Sequence, residues 1–178
     1  MSRIGNRKLT IPTGVSVEAA NSKVVVKGSM GTLELAIPKL INVEVNEGLI
    51  TVTRSNESKE AKQLHGTINA LISNMLVGVS EGYKKELEIV GVGYRFNVSG
   101  SKITISAGHS HPDILTVPQG LTVESPSNTE LNIMGIDKCL VGEFSAKVRE
   151  VRPPEPYKGK GIKFKGEQIR RKEGKKAA

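Results

Sequence analysis

The chain has 178 residues, 37% of them hydrophobic, with no Trp, three Tyr, three Phe and a single cysteine, Cys139. That length and composition fit an aliphatic core in one large or two small domains and exclude an intramolecular disulfide. The net charge is +8, but residues 157–178 alone carry nine Lys/Arg against two Glu, leaving 17 basic and 16 acidic residues in the rest.

Residues 1–10 are polar and basic, with Arg3, Arg7 and Lys8, and are expected to form a loosely held arm. No apolar stretch follows them, as a secretory signal would need, and no apolar run anywhere approaches the ~20 residues that cross a bilayer. A soluble, cytoplasmic protein without a membrane partner is expected. Short alternating runs then begin at Pro12: Val15 and Val17, Val24 to Val26, Leu33-Leu35-Ile37, Ile41-Val43-Val45, and Ile50-Val52. Period-two alternation predicts strands with one buried face. Gly28-Ser29-Met30-Gly31 and Asn46-Glu47-Gly48 are tight turns, so neighbouring strands pair antiparallel. The period changes after Ser55 and Ser58, both candidate N-caps. Ala61, Leu64, Ile68, Leu71, Ile72, Met75, Leu76 and Val79 recur at helical spacing, and Gly82 ends the run.

The second half repeats that order. Val90, Val92, Tyr94, Phe96 and Val98 are expected on one face of one strand, Ser99-Gly100-Ser101 turns the chain, and Ile103 and Ile105 return. Further strands follow the loop from Gly108 to Asp113, and Asp137 precedes a shorter helix with Leu140, Phe144, Val148 and Val151. The helices align at constant offset, Leu64, Gly66, Ile68, Ala70 and Ile72 against Leu140, Gly142, Phe144, Ala146 and Val148. The fold expected is α+β: two similar domains from an internal duplication, 11–82 and 83–152, each an antiparallel sheet packed against one helix. A basic tail, 153–178, follows.

Chemistry-bearing constellations are sparse. His109 and His111 stand two apart, with His65 and Cys139 distant in sequence, so a metal site lacks its third and fourth ligands. Gly91-Val92-Gly93 opens no helix and reads as glycines inside a strand. Glu86 and Glu88 face the same way without a nucleophile or base beside them. Cys139, next to Lys138, reads as a small buried or half-buried thiol. No catalytic residue, metal or cofactor is assigned.

The tail is different. Pro153, Pro154 and Pro156 make a stiff lead-in. Gly159 and Gly161 alternate with Lys158 and Lys160, which lets backbone approach a surface. Tyr157 and Phe164 sit among lysines, where they could stack on sugars or bases. Ile162 and Phe164 alternate with Lys163 and Lys165, suiting an extended segment with one docked and one charged face. Arg170, Arg171, Lys172, Lys175 and Lys176 close the chain. Phosphate is the natural partner, and engaging ~5 to 7 phosphates of a duplex would give a salt slope of about −5 to −6. Glycine-spaced lysines match shape and charge more than base edges, which favours folded RNA over DNA. Because the two repeats are nearly neutral, loss of the tail is expected to spare the fold.

PEPYKGKGI at 154–162 resembles the signature of the bacterial large-subunit ribosomal protein six family. SRIGNRKLTIPTGV at the start, VGVGYRF at 90–96, SHP at 110–112, GIDK at 135–138 and the closing RRKEGKK are similar to that family in the same order. The chain departs at Cys139, where the family suggests Gln, and at Phe96, where it suggests a small residue. The resemblance implies two duplicated domains and binding to large-subunit (23S-type) ribosomal RNA through the second domain and tail. It further implies a position near the sarcin–ricin, factor-binding region and the stalk base, with neighbouring large-subunit proteins as partners, on the cytoplasmic ribosome. It puts Tyr157, Lys158, Gly159, Lys160 and Gly161 against RNA. Lys163, Lys165, Arg170, Arg171, Lys172, Lys175 and Lys176 would support them, with Arg152 and, in a weaker patch, Arg3, Arg7 and Lys8. A small enzyme with a cleft between the repeats and a transient RNA-binding assembly factor are the alternatives.

Overall fold

The period-two runs become strands and the helical spacings become two helices in the computed structural model of the chain, which describes residues 3–20, 22–46 and 48–174. The chain divides into two units. The first runs through Tyr83 and takes in Ile136–Lys138; the second takes Lys84–Gly135 and the described residues from Cys139 onward.

In the first unit, β2 (Ser16–Ala20), β3 (Lys23–Gly28) and β4 (Gly31–Ala36) form one antiparallel sheet. β1 (Leu9–Thr10), β6 (Leu49–Arg54) and β5 (Ile41–Asn46) form a second, in the order β1-β6-β5. The helix α1 (Lys59–Ser80) covers them with Ile68, Ile72, Met75, Leu76 and Val79, which pack with Val24, Val26, Ile41, Ile50 and Val52. Ser58 is the N-cap: Ala61 N–H donates to its hydroxyl oxygen at 3.2 Å. At the other end Glu81 and Gly82 N–H both donate to Val77 O, with Gly82 at φ +78°. Glycine carries that left-handed conformation without strain, as the sequence required.

The N-terminal segment is not the loose arm expected. The Asn69 side-chain amide, buried on α1, donates to Gly5 O at 2.9 Å and to Arg7 O at 2.8 Å. A Cβ on Gly5 would lie 2.4 Å from His65 Nδ1, so the backbone there lies directly on the buried imidazole. Leu9, 4% exposed, then enters the sheet as β1. Buried polar side chains must find partners, and here the partners are arm carbonyls.

The second unit repeats the topology. β8 (Arg95–Ser99), β9 (Lys102–Ser106) and β10 (Asp113–Thr116) correspond to β2, β3 and β4. β7 (Tyr83–Val90), β12 (Glu130–Gly135) and β11 (Leu121–Ser127) reproduce the order of β1, β6 and β5. The helix α2 (Lys138–Val151) follows, burying Val141, Phe144 and Val148. The aligned helix positions also agree in environment. Ile68 and Phe144 are buried, as are Ile72 and Val148, while Ala70 and Ala146 are exposed. Each repeat therefore holds two small sheets rather than one.

Two expectations fail here. The run from Val90 to Val98 is not one strand: it breaks at Gly91 (φ +154°) and Gly93 (φ +76°), which turn the chain between β7 and β8. The tail is not a separable appendage either. Gly161–Phe164 is a thirteenth strand, β13, paired antiparallel with β7 as Gly161 to Val90, Ile162 to Ile89, Lys163 to Glu88 and Phe164 to Leu87. Ile162 is 0% exposed. Removing the tail would strip an edge strand and a core side chain from the second unit, so the fold is not spared. Among the described residues no helix is long and apolar enough to cross a membrane.

Candidate nucleic-acid interface

The six residues before β13 form a loop closed by its own backbone. Glu155 N–H donates to Lys160 O at 2.9 Å, and Gly159 N–H donates to Glu155 O at 3.1 Å. Ile162 N–H donates to Arg152 O at 2.7 Å, tying the strand to the end of α2. Beyond the strand the chain returns, and Lys172 N–H donates to Pro156 O at 2.8 Å. The glycines serve this closure. Gly159 is buried at φ +72°, and a Cβ there would stand 3.6 Å from a guanidinium nitrogen of Arg171. Gly161 is at φ +133°, and a Cβ would stand 2.6 Å from Pro153 O and 2.8 Å from Arg152 O. Its absence of side chain is demanded by its own chain.

The basic residues fall into two groups. Lys163 and Lys165 belong to the sheet. Lys163 pairs with Glu88 across the strands at 2.6 Å, and Lys165 reaches Glu86 at 3.4 Å and Glu130 at 3.6 Å. The two carboxylates of β7 thus neutralise the strand laid beside them. The ammonium of Lys84, hydrogen-bonded to Glu86, and then that of Lys165 hold the Glu86 carboxyl below its ordinary range, while Glu130 and Glu86 hold Lys165 above its own. Phe164 is also committed to the fold, with Lys85 Nζ at 5.7 Å and the Arg149 guanidinium at 6.0 Å from its ring centre. Glu167 receives two guanidinium N–H groups of Arg149, at 3.1 and 2.7 Å, and Phe164 N–H at 3.0 Å. The Arg149 bonds first, and the Phe164 N–H with them, hold its carboxyl low.

The second group is Arg152, Lys158, Lys160, Arg170, Arg171 and Lys172, all exposed. No carboxylate among the described residues forms an ion pair with any of them. Tyr157, 56% exposed, projects from the same loop. A cleft of about 340 Å³ beside it is lined by Tyr94, Arg152, Glu155, Tyr157, Lys158 and Lys160. Another, of about 520 Å³, is lined by Lys158, Gly159, Lys163 and Arg171 with Val90, Glu167, Gln168 and Ile169. Cations held on a backbone-closed loop without a direct ion pair keep their capacity for phosphate oxygens, which bidentate and charge-assisted hydrogen bonds then satisfy.

Of the residues picked from the sequence, the loop therefore gathers Tyr157, Lys158, Gly159 and Lys160 with Arg152, Arg170, Arg171 and Lys172. Lys163 and Lys165 are instead paired with carboxylates of the sheet, and Gly161 is packed against carbonyls of its own chain. Lys175 and Lys176 lie outside the described residues. Arg3, Arg7 and Lys8 are exposed on the first unit. Tyr94 was not singled out, although Gly91, one of the two glycines that make room for its ring, was visible in the sequence; the other is Gly108. Elsewhere, His109 Nδ1 meets Asp113 Oδ2 at 2.7 Å, and among the described residues no three potential ligands gather for a metal. Cys139 is exposed rather than buried or half-buried.

The sequence profile described as Ribosomal protein L6 matches the chain twice, over residues 11–82 and 90–165, which are the two repeats. The chain is 56% identical over 177 residues to the large ribosomal subunit protein uL6 of Spiroplasma kunkelii, covering 99% of each. It is 55% identical over 178 residues to that of Metamycoplasma arthritidis, covering 100% of this chain and 99% of the relative. Identity to the Enterococcus faecalis protein of the same name is 51% over 177 residues, 98% of each.

Proposed function

The chain belongs to the ribosomal protein L6 family, and from that premise we propose that it binds large-subunit ribosomal RNA through the loop 152–160 and the segment 170–172. The family is one of structural constituents of the large ribosomal subunit and not of enzymes, which puts the chain on the ribosome in the cytoplasm. The observation that carries the RNA reading is the set of six exposed, carboxylate-free cations around a loop locked by backbone hydrogen bonds. A locked loop loses little conformational entropy on binding, so its charge–phosphate contacts are not spent on ordering. The second unit positions this loop, and the paired Lys163 and Lys165 hold the strand beneath it.

The finer assignment, near the sarcin–ricin region and the stalk base with neighbouring large-subunit proteins as partners, is supported by the resemblance of PEPYKGKGI to its family signature. Arg3, Arg7 and Lys8 are assigned as a second, weaker patch, and Lys175 and Lys176 extend the first. The test is RNA affinity against salt. Lys158→Ala with Lys160→Ala is expected to weaken binding to large-subunit RNA and to flatten the salt slope by roughly 2, at unchanged thermal stability. An unchanged slope removes both lysines from the contact. Cross-linking of the assembled subunit from Tyr157 tests the location, which fails if the cross-links map away from the sarcin–ricin region.

A further inference from the structure

We propose that the cleft between Tyr94 and Tyr157 is a pocket for one unstacked nucleotide, with guanine as the preferred base. The inference rests on the RNA-binding reading above and adds a base-reading subsite to it. The cleft, about 340 Å³, has an aromatic ring from each of two loops and three cations at its rim, Arg152, Lys158 and Lys160. The two rings differ in exposure. Tyr94 packs closely on the backbone of two glycines: a Cβ on Gly91 would stand 2.6 Å from a ring carbon and one on Gly108 2.6 Å from the hydroxyl. That makes it a fixed wall. Tyr157 is 56% exposed on a loop whose backbone is closed, so its face is available for stacking. Unpaired bases stack on aromatic faces and are read along their Watson–Crick edges, whereas paired RNA offers neither.

The sixth residue sets the choice of base. Glu155 lines the cleft, is half-buried, and makes no ion pair among the described residues although three cations line the same space. Its backbone N–H and carbonyl are both engaged in the loop closure, so its backbone is fixed in place. An ionised carboxylate only accepts hydrogen bonds and repels phosphate. It therefore suits the base end of a nucleotide whose phosphate is drawn to the cations. Guanine presents two adjacent donors, the N1–H and the 2-amino group, to the two oxygens of a carboxylate. Adenine and cytosine place an acceptor nitrogen beside their amino group, and uracil offers one donor between two carbonyls.

The experiment uses the full chain and RNA hairpins that differ at one bulged position: guanosine, inosine, adenosine or an abasic sugar. Affinities are measured at several salt concentrations. Guanosine is expected to bind about tenfold tighter than the abasic hairpin, with inosine, which lacks the 2-amino group, in between. Tyr157→Ala should bring guanosine to the abasic level without altering the salt slope, and Tyr157→Phe should restore the preference. Glu155→Gln should narrow the gap between guanosine and adenosine. Both altered side chains are outside the core, and an unchanged thermal midpoint confirms that the loop is intact. Equal affinity for all four hairpins, with a steep salt slope retained, overturns the nucleotide pocket and leaves the phosphate-binding reading standing. Absence of salt-dependent binding to any hairpin and to large-subunit RNA overturns both.

Discussion

Ile162→Ala separates what the tail does for the fold from what it does for RNA. The side chain is 0% exposed, in the strand beside β7. The substitution removes three buried carbons, which is about 2.4 kcal/mol at about 0.8 kcal/mol per carbon, and the cavity left behind raises this to about 3 to 4 kcal/mol. For a unit of this size each kcal/mol moves the midpoint by about 4 to 8 °C, so the second unit should melt roughly 12 to 32 °C lower. Thermal unfolding by circular dichroism, with hydrogen exchange at Leu87 and Ile89 to assign the transition, measures it. The control is Lys158→Ala with Lys160→Ala, which should leave the midpoint where it is and change RNA binding alone. If Ile162→Ala shifts the midpoint no more than that control does, β13 is not part of the core and the tail is the detachable device its charge suggested. A chain ending at Arg152 should behave as the stronger version of the same lesion, losing cooperative unfolding of the second unit before any question of RNA arises.

Gly161→Ala should destabilise by more than about 2 kcal/mol in urea titration, from left-handed strain alone at about 1 to 3 kcal/mol together with the carbonyl of Pro153 at 2.6 Å; a neutral effect would refute the closure described for the loop. Glu167 has its folded carboxyl held low by Arg149, so its stabilisation is complete above the ordinary glutamate range and is lost as pH falls through the depressed value. Midpoints of the parent and Glu167→Gln should accordingly differ near neutrality and converge at acid pH, and parallel curves down to low pH would contradict the assignment. His65 Nε2 lies 2.9 Å from Val52 O and must donate there, leaving Nδ1 to accept from Arg54 at 3.1 Å. Nitrogen-15 NMR should therefore show the Nε2–H tautomer, whereas an Nδ1–H signal would mean that the Arg54 contact is not made.

Much of the fold was legible in the chain. Ile50 and Val52, and Ile103 and Ile105, alternate with polar neighbours and are buried as that alternation requires. Ser58 and Gly82 bound α1 because cap chemistry is local. The duplication was visible because both helices must bury the same stripe, and Ile68 and Ile72 match Phe144 and Val148. The basic cluster was legible as charge, and its motif residues as family resemblance. Local signals failed where a residue's role depends on a partner far along the chain. Gly91 looks like a strand glycine until Tyr94 is seen to need the space that it and Gly108 leave. The arm at Gly5 and Arg7 looks loose until Asn69, more than 60 residues away, is found holding its carbonyls. Ile162-Lys163-Phe164-Lys165 alternates like any docked segment, but alternation does not say what it docks on. The answer, Glu86 and Glu88 of β7, lies some 75 positions earlier. Sequence alone thus determined the elements, the repeat and the location of the excess charge. Only the tertiary structure decided which lysines that charge leaves free, because neutralisation is a matter of distance in space and strand pairing brought carboxylates to Lys163 and Lys165.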